Sequence, residues 1–317
     1  MSGSNEEIAE IGIEAAVTRL RQGRLVAVPT ETVYGLAADA TNVAAVAEIY
    51  RTKGRPEFNP LIVHVFDISA AQKLGEFNAL ATTLANCFWP GPLTLVVPKT
   101  LTCGVAAAVT AGLDTIALRS PAHPLMRELL GSSGLALAAP SANKSGGVSP
   151  TSPAHVSKSF GGLSPPILNG GAAAAGIEST IVAIRGTEYE ILRPGPITAE
   201  ELAEAAGRAA TITQHKSIEA PGQLSSHYAP TKPVRLNVSI AGSDDYHIGF
   251  GKIEGNTNLS ASGDLAEAAS RLFALLHDAD ASDKSAIAVA AIPENGIGAA
   301  INDRLSRAAT NIKTVAK

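Results

Sequence analysis

Runs of Val, Ile and Leu alternate along the chain with segments whose apolar residues recur at helical spacing. Residues 25–28, 61–65, 93–97, 115–118, 135–139 and 180–184 read as buried strands. A helix over 8–20 is expected to stop at Gly23, and a second is expected to be capped by Asn42, to carry Val43, Val46, Ile49 and Tyr50 on one face, and to end at Gly54. The alternation predicts an α/β fold with helices flanking a sheet. Strands 180–184 and 189–192 are too close for a helical crossover, so the sheet should be mixed. A helix near 200–209 closes this region.

Residues 213–233 then lose all apolar periodicity and carry Pro221, Gly222, Pro230 and Pro233. Beyond them, strands at 234–240, 247–250 and 286–292 and a helix at 265–276 rebuild an α/β pattern. The expected organisation is a domain over 1–212, a linker over 213–231 and a smaller α/β domain over 232–317.

Composition narrows the class. Of 317 residues, 45% are apolar and 17% charged, enough to build a core and far from disorder. With 25 basic and 29 acidic residues, the net charge of −4 speaks against a protein that coats nucleic acid by bulk electrostatics. Two cysteines, Cys87 and Cys103, are too few for a disulfide framework and lack metal-ligand spacing; partly buried thiols in a reducing compartment are expected. No leader is evident at the acidic start and no apolar run is long enough to span a membrane, so the expectation is a cytoplasmic protein.

The candidate chemistry sits at strand ends, where α/β folds place ligands. Thr30 and Thr32 follow the first strand; they suit a small polar ligand, or an ordinary turn with Gly35 at positive φ. Lys53 and Arg55 pair a point charge with a planar fork, for a polyphosphate or merely for the end of their helix. His64, inside an apolar strand, is either a ligand group or a core histidine. Residues 139–147 gather Ser141, Asn143, Ser145 and two glycines after a strand, without a Walker A pattern. Arg119, the segment 176–180 and Arg193 add two cations and small hydroxyls, while the glycines at 249 and 251 fail the dinucleotide fingerprint.

Taken together, PTETVYGLAADA (29–40), KGRPEFNPLIVHV (53–65), WPGPLTLVV (89–97), APSANKSGGVSPT (139–151), GIESTIV (176–182) and ILRPGPIT (191–198) resemble the YrdC-like family of L-threonylcarbamoyladenylate synthases in its long, two-domain form. The likeness spans roughly 12–208, and the stretch 220–230 is similar to the long form's linker, with Gln223 to Ser226 where the family carries a basic, Met-containing run. The resemblance implies a YrdC-like twisted mixed sheet flanked by helices, followed by a small Rossmann-like α/β domain. It implies an enzyme that makes threonylcarbamoyl-AMP and pyrophosphate from L-threonine, bicarbonate or CO2, and ATP, with Mg2+ carried by the phosphates and no dedicated protein metal site. A threonylcarbamoyl transferase would pass the group to the adenosine beside the anticodon of tRNA; neither strong direct tRNA binding nor a membrane partner is implied.

By motif position, Lys53, Arg55, Ser141 and Asn143 form the catalytic set around the phosphates. Arg55, Asn59, Thr115, Ser141, Ser149, Arg193 and Tyr228 fall where ATP is held, and Thr32, His64, Arg119, Ala139 and Ser179 where L-threonine is held. The other readings are a non-catalytic RNA- or nucleotide-binding regulator and a carbamoyltransferase forming carbamoyl-adenylate. The latter usually carries CxxC zinc modules that this chain lacks.

Overall fold

In a computed structural model that describes residues 9–211, 219–222 and 228–310, the apolar runs assemble into two sheets. The first contains β1 (Val26–Val28), β2 (Gly35–Asp39), β3 (Ile62–His64), β4 (Leu93–Pro98), β5 (Thr115–Arg119), β6 (Leu137–Ala138), β7 (Thr180–Arg185) and β8 (Glu188–Arg193). Their order is β1-β2-β6-β3-β5-β4-β7-β8, with β3–β5 and β4–β7 parallel and the other neighbours antiparallel. The sheet is mixed, as its short connections require.

Alternation along the strands decides where ligands have room. On one face Val63, Leu95, Leu118 and Val182 join the main core, closed by α2 (Val43–Lys53), α4 (Ala79–Phe88) and α7 (Ala199–Ala206) through Val46, Leu84 and Leu202. On the other face, α1 (Ile13–Arg21) and α5 (Pro124–Ser133) cover only the β1–β2–β6 end, through Leu20 and Leu129. Over the central strands that second face carries Ile62, Val96, Ala117, Ile181 and Ala183, and it is Ala220 that packs there. A helix-free patch of sheet is left beside it.

The second sheet is wholly parallel, in the order β11 (Thr257–Asn258), β10 (Asp245–Gly249), β12 (Ala286–Val289), β9 (Val234–Arg235). It packs on α8 (Leu265–Ala281) and α9 (Gly298–Ala309). Its core does not end at its own boundary: Val33, Val148, Ile177 and Tyr228 belong to the same buried cluster as Phe273, Leu276 and Ile301. Three of those four come from loops of the first sheet.

Several expectations shift. The first helix begins at Ile13, because Ile11 and Ile167 instead exchange strand-like hydrogen bonds with their neighbours (Ile11 N to Ile167 O, 2.9 Å; Ile167 N to Ala9 O, 2.9 Å); residue 8 lies outside the described residues. Gly35 is not a positive-φ turn residue: it opens β2 and lies against Ala139, which a Cβ would approach to 3.2 Å. Strand 135–139 shortens to Leu137–Ala138, and 234–240 stops at Arg235, before Asn237 takes φ +57°. Helices α3 (Ile68–Gln72), α4, α5, α6 (Pro153–Phe160) and α9 were not expected at all. Cys103 is buried, but Cys87 is exposed. Asn42 caps α2 as expected, its side chain accepting from Ala45 N, and the helix terminates at Gly54; Val46, Ile49 and Tyr50 are buried on it, but Val43 in the first turn is exposed. Of residues 213–231, positions 213–218 and 223–227 lie outside the described residues, the Gln223 to Ser226 departure included.

Candidate active site

The helix-free patch forms the floor of a narrow cleft with a volume of about 50 Å³. All five residues expected at threonine line it: Thr32, His64, Arg119, Ala139 and Ser179. So do Arg55, Ser141, Arg193 and Tyr228 from the phosphate and nucleotide sets. Parallel pairing of β3 with β5 sets His64 beside Arg119, at the carboxyl ends of both strands.

Arg119 is buried and its guanidinium is fixed from three directions. Nε donates to Gly91 O at 3.2 Å, Nη1 to Thr32 Oγ1 at 2.9 Å, and Nη2 pairs with Glu31 at 2.7 Å. A guanidinium has five N–H groups, so one remains on each terminal nitrogen, the pair that a carboxylate takes. Burial pushes the Glu31 carboxyl up, but the charge and hydrogen bond of Arg119 prevail, and its pKa is lowered overall. Thr30 donates to Val33 O at 2.6 Å, so its proton is engaged locally. Thr32, 2.8 Å from the Thr30 hydroxyl, must then donate to it, and toward a ligand Thr32 can only accept.

His64 is held neutral: burial, reinforced by the Arg119 charge, lowers its pKa to about 3. Its Nδ1 has no hydrogen-bond partner among the described residues. Ser179 Oγ meets Thr94 Oγ1 at 2.8 Å and accepts from Arg193 Nη2 at 3.1 Å. Arg193 also donates to Ser179 O from Nε (3.1 Å) and Nη2 (2.9 Å), and from Nη1 to Pro221 O at 3.4 Å. The residues after α7 are thus tied to the cleft wall through Pro221, with Gly222 and Tyr228 in the lining.

Five expected residues do not line the cleft. Lys53 is buried with Nζ on the carbonyls of Ser141 and Asn143, both at 2.5 Å. Burial, followed by Arg55 and Lys144, drives its pKa well down. Asn143 Nδ2 donates to the Lys144 and Gly147 carbonyls, each at 2.9 Å. Lys53 and Asn143 therefore shape the 139–147 loop from behind. Asn59 lies below Arg55, its carbonyl accepting from Arg55 Nε at 3.1 Å, while Arg55 Nη2 donates to Pro60 O at 2.9 Å. Burial lowers the pKa of Arg55 to about 10, so it stays cationic at neutral pH. Neither cation serves the carbonyl end of α2. Ser149 donates to Glu178 at 2.5 Å from behind the wall. Thr115 shares the Arg119 face of β5 but stands four residues back, about 13 Å along the strand.

Glu31, Thr94, Glu178 and Arg304 were not singled out from the sequence. Glu178 lines the cleft and pairs with Arg304 of α9 at 2.8 Å. Thr94 and Glu178 stand inside strings quoted above, and Glu31 is bracketed by the two threonines; Arg304 had no local signal. Among the described residues no three His, Cys, Asp or Glu side chains gather to hold a metal ion, and the two carboxylates at the site face arginines.

The protein family described as telomere recombination matches residues 18–195, and the one described as threonylcarbamoyl-AMP synthase, C-terminal domain, matches residues 197–310. Threonylcarbamoyl-AMP synthase of Bacillus subtilis is 38% identical over 327 residues, covering 94% of this chain and 92% of its own. The protein of the same name from Schizosaccharomyces pombe is 35% identical, covering 90% and 85%. Among solved structures, P. abyssi Sua5 complexed with L-threonine superposes with a TM-score of 0.86 at 35% identity, over 94% of each chain.

Proposed function

Because this chain belongs to the Sua5-type threonylcarbamoyl-AMP synthase family, we propose that it joins L-threonine, bicarbonate and ATP into threonylcarbamoyl-AMP with release of pyrophosphate. The observation that carries the reading is one cleft in which a hydroxyl- and imidazole-lined end built on Arg119 meets a second end built on Arg55 and Arg193.

In this reading the two free N–H groups of Arg119 take the threonine carboxylate, and the accepting oxygen of Thr32 and the neutral His64 receive the substrate's polar groups. The amine adds to bicarbonate with loss of water, giving a carbamate. A carbamate oxygen then attacks the α-phosphorus, and the bond to pyrophosphate breaks. No protein nucleophile is needed; positioning and charge neutralisation carry the step. Arg55, Arg193 and Ser141 neutralise and orient the phosphates, with Lys53 and Asn143 holding the Ser141 loop. Tyr228 completes the nucleotide side of the cleft, while Asn59 and Ser149 act from behind its wall through Arg55 and Glu178, and Thr115 has no part in it. Magnesium enters as part of the ATP substrate, since the carboxylates at the site are paired with arginines.

The 213–231 segment, between domains 1–212 and 232–317, serves as a cover that keeps water from the acyl-adenylate. Its support is that Ala220 packs on the open sheet face while Pro221, Gly222 and Tyr228 line the cleft. A tRNA threonylcarbamoyl transferase is the partner that uses the product. No helix among the described residues is long and apolar enough to cross a membrane. In this reading the enzyme works in the cytoplasm, beside the tRNA that uses its product.

The test is mass detection of threonylcarbamoyl-AMP, with pyrophosphate release measured while threonine or bicarbonate is omitted. Release should need both. Equal release without threonine would leave only a nucleotide hydrolase.

A further inference from the structure

We propose that Arg304, on α9 of the C-terminal domain, is a positioning residue for the nucleotide side of the cleft, acting through Glu178. The inference rests on the reading above, which puts ATP against Arg193 and Tyr228, with Ser149 supporting the wall behind Glu178.

The geometry is unusual for a residue so far along the chain. Arg304 is fully buried, although it belongs to a helix of the second domain. Its Nε donates to Glu178 Oε2 at 2.8 Å, across a sequence separation of 126 residues. Glu178 accepts from Ser149 Oγ on its other oxygen at 2.5 Å. The guanidinium carbon also lies 5.3 Å from the ring centre of Tyr228, and Nη1 pairs with Asp303 at 2.7 Å. One side chain from the second domain thus touches two residues of the cleft lining and, through Glu178, reaches Ser149.

The contact is held from both sides. Gly176, two residues before Glu178, has φ +70° and lies against α8, where a Cβ would fall 2.3 Å from Ser270 O. Ile177 is buried in the second domain's core. His277 of α8 lies 3.1 Å from the Ser149 carbonyl. The loop carrying Glu178 therefore cannot shift without disturbing the second domain.

Glu178 is faced by Arg304 from α9, whose other side pairs with Asp303, by Arg193 from β8, by Tyr228 and by the Ser149 hydroxyl. Burial by itself would raise its pKa; Arg304 and Arg193, with the Ser149 and Arg304 hydrogen bonds, hold it below the usual carboxylate value. Without Arg304 the burial effect is opposed mainly by Arg193, so the carboxyl should titrate closer to neutrality. When ionised there, it would confront the ATP phosphates.

The experiment uses the full chain as wild type, Arg304→Met, Arg304→Lys, Glu178→Gln and the Arg304→Met/Glu178→Gln pair. The dissociation constant for ATP is measured by calorimetry from pH 6 to 8.5, together with KM for ATP and for threonine and thermal unfolding of each protein. Arg304→Met should weaken ATP binding and raise KM for ATP about tenfold or more, equivalent to roughly 1.4 kcal/mol, while KM for threonine changes by less than about threefold on the same scale. The ratio of its ATP affinity to wild type should fall as pH rises, a comparison that cancels ATP's own titration. Adding Glu178→Gln should flatten that ratio, and Arg304→Lys, which keeps the charge, should also leave it flat. An Arg304→Met protein with wild-type ATP affinity overturns the proposal, as does a loss that is equal at every pH and insensitive to Glu178→Gln. If Arg304→Met does not fold, the neutral variant Arg304→Gln takes its place, and wild-type ATP affinity at every pH in that variant overturns the proposal. Normal synthesis with unaltered ATP binding in the variants defeats this inference alone. A wild-type chain that binds ATP with this Arg304 dependence but makes no threonylcarbamoyl-AMP defeats the functional reading alone.

Discussion

Replacing His64 by Gln should flatten the acid side of the stability curve. In the folded chain His64 is buried on β3 beside Arg119, and its pKa lies near 3 against an ordinary value of 6.5. A histidine whose folded pKa is depressed stabilises the fold fully above pH 6.5, and that contribution is lost as pH falls toward 3, because the unfolded chain takes up the proton first. Each pH unit in that window corresponds to about 1.4 kcal/mol. Between pH 6.5 and pH 4.5, two units, the wild type should therefore lose roughly 2–3 kcal/mol through this residue. The Gln variant should lose none of it, while Glu31, Glu178, His155 and His277 contribute alike to both proteins. Urea unfolding at pH 7.0 and pH 4.5 measures the difference, because the denaturant slope should be common to the two chains. Parallel curves would mean that His64 takes up a proton in the folded state. The neutral imidazole assigned to the threonine end of the cleft would then be wrong.

Lys53→Met should cost about 2–4 kcal/mol in urea unfolding, since it leaves the buried carbonyls of Ser141 and Asn143 without their donor; unchanged stability would show that the 139–147 loop stands without its clamp. Gly222→Ala should raise KM for ATP several-fold: the residue sits at φ +86°, and a Cβ would fall 2.8 Å from Tyr228 Oη and 2.9 Å from Arg193 Cδ. An ATP KM equal to wild type would remove this segment from the nucleotide side. Valine should be rejected against threonine by about 10⁴-fold or more in kcat/KM, because the groups that read the hydroxyl are left buried and unpaired. Equal efficiency would mean that neither Thr32 nor His64 reads the substrate hydroxyl.

The central strands were legible because each is a continuous run of branched apolar residues between turn formers, and α2 because Asn42 and Gly54 bracket an apolar stripe. β2 was not, since Gly35-Leu36-Ala37-Ala38 is short and Ala-rich, and only pairing with β1 and β6 makes it extended. α6 carries readable signals, Ser152 as cap and Pro153 in the first turn, but they follow a polar stretch that reads as loop. At the site, local strings identify the side chains but not their partners. Lys53 looks like a phosphate ligand until β6 and its following loop place the Ser141 carbonyl over it. Arg119 looks free until Glu31, Thr32 and Gly91 arrive from other segments. Arg304 is the extreme case, for an arginine on an amphipathic helix ordinarily reads as solvated, and only the packing of α9 on the first domain makes it buried.

That packing changes what the second domain is for. Val33, Val148 and Ile177 sit in three separate site loops, and each lies one or two residues from a group that faces the cleft or supports its wall: Thr32, Ser149 and Glu178. Fully burying such a side chain contributes about 1.5–3 kcal/mol, comparable with the conformational entropy of ordering one or two loop residues. Loops at strand ends are otherwise the least constrained parts of an α/β fold. Here their apolar residues enter a core organised by α8 and α9, so the free energy that orders the second domain also orders the ligand-facing ends of the first. The cleft floor comes from a sheet face without a helix, and its rim comes from a domain that follows it in the chain. The second domain accordingly fixes the rim: Arg304 pairs with the Glu178 carboxylate, and the shared core holds the backbone beside Thr32 and Ser149.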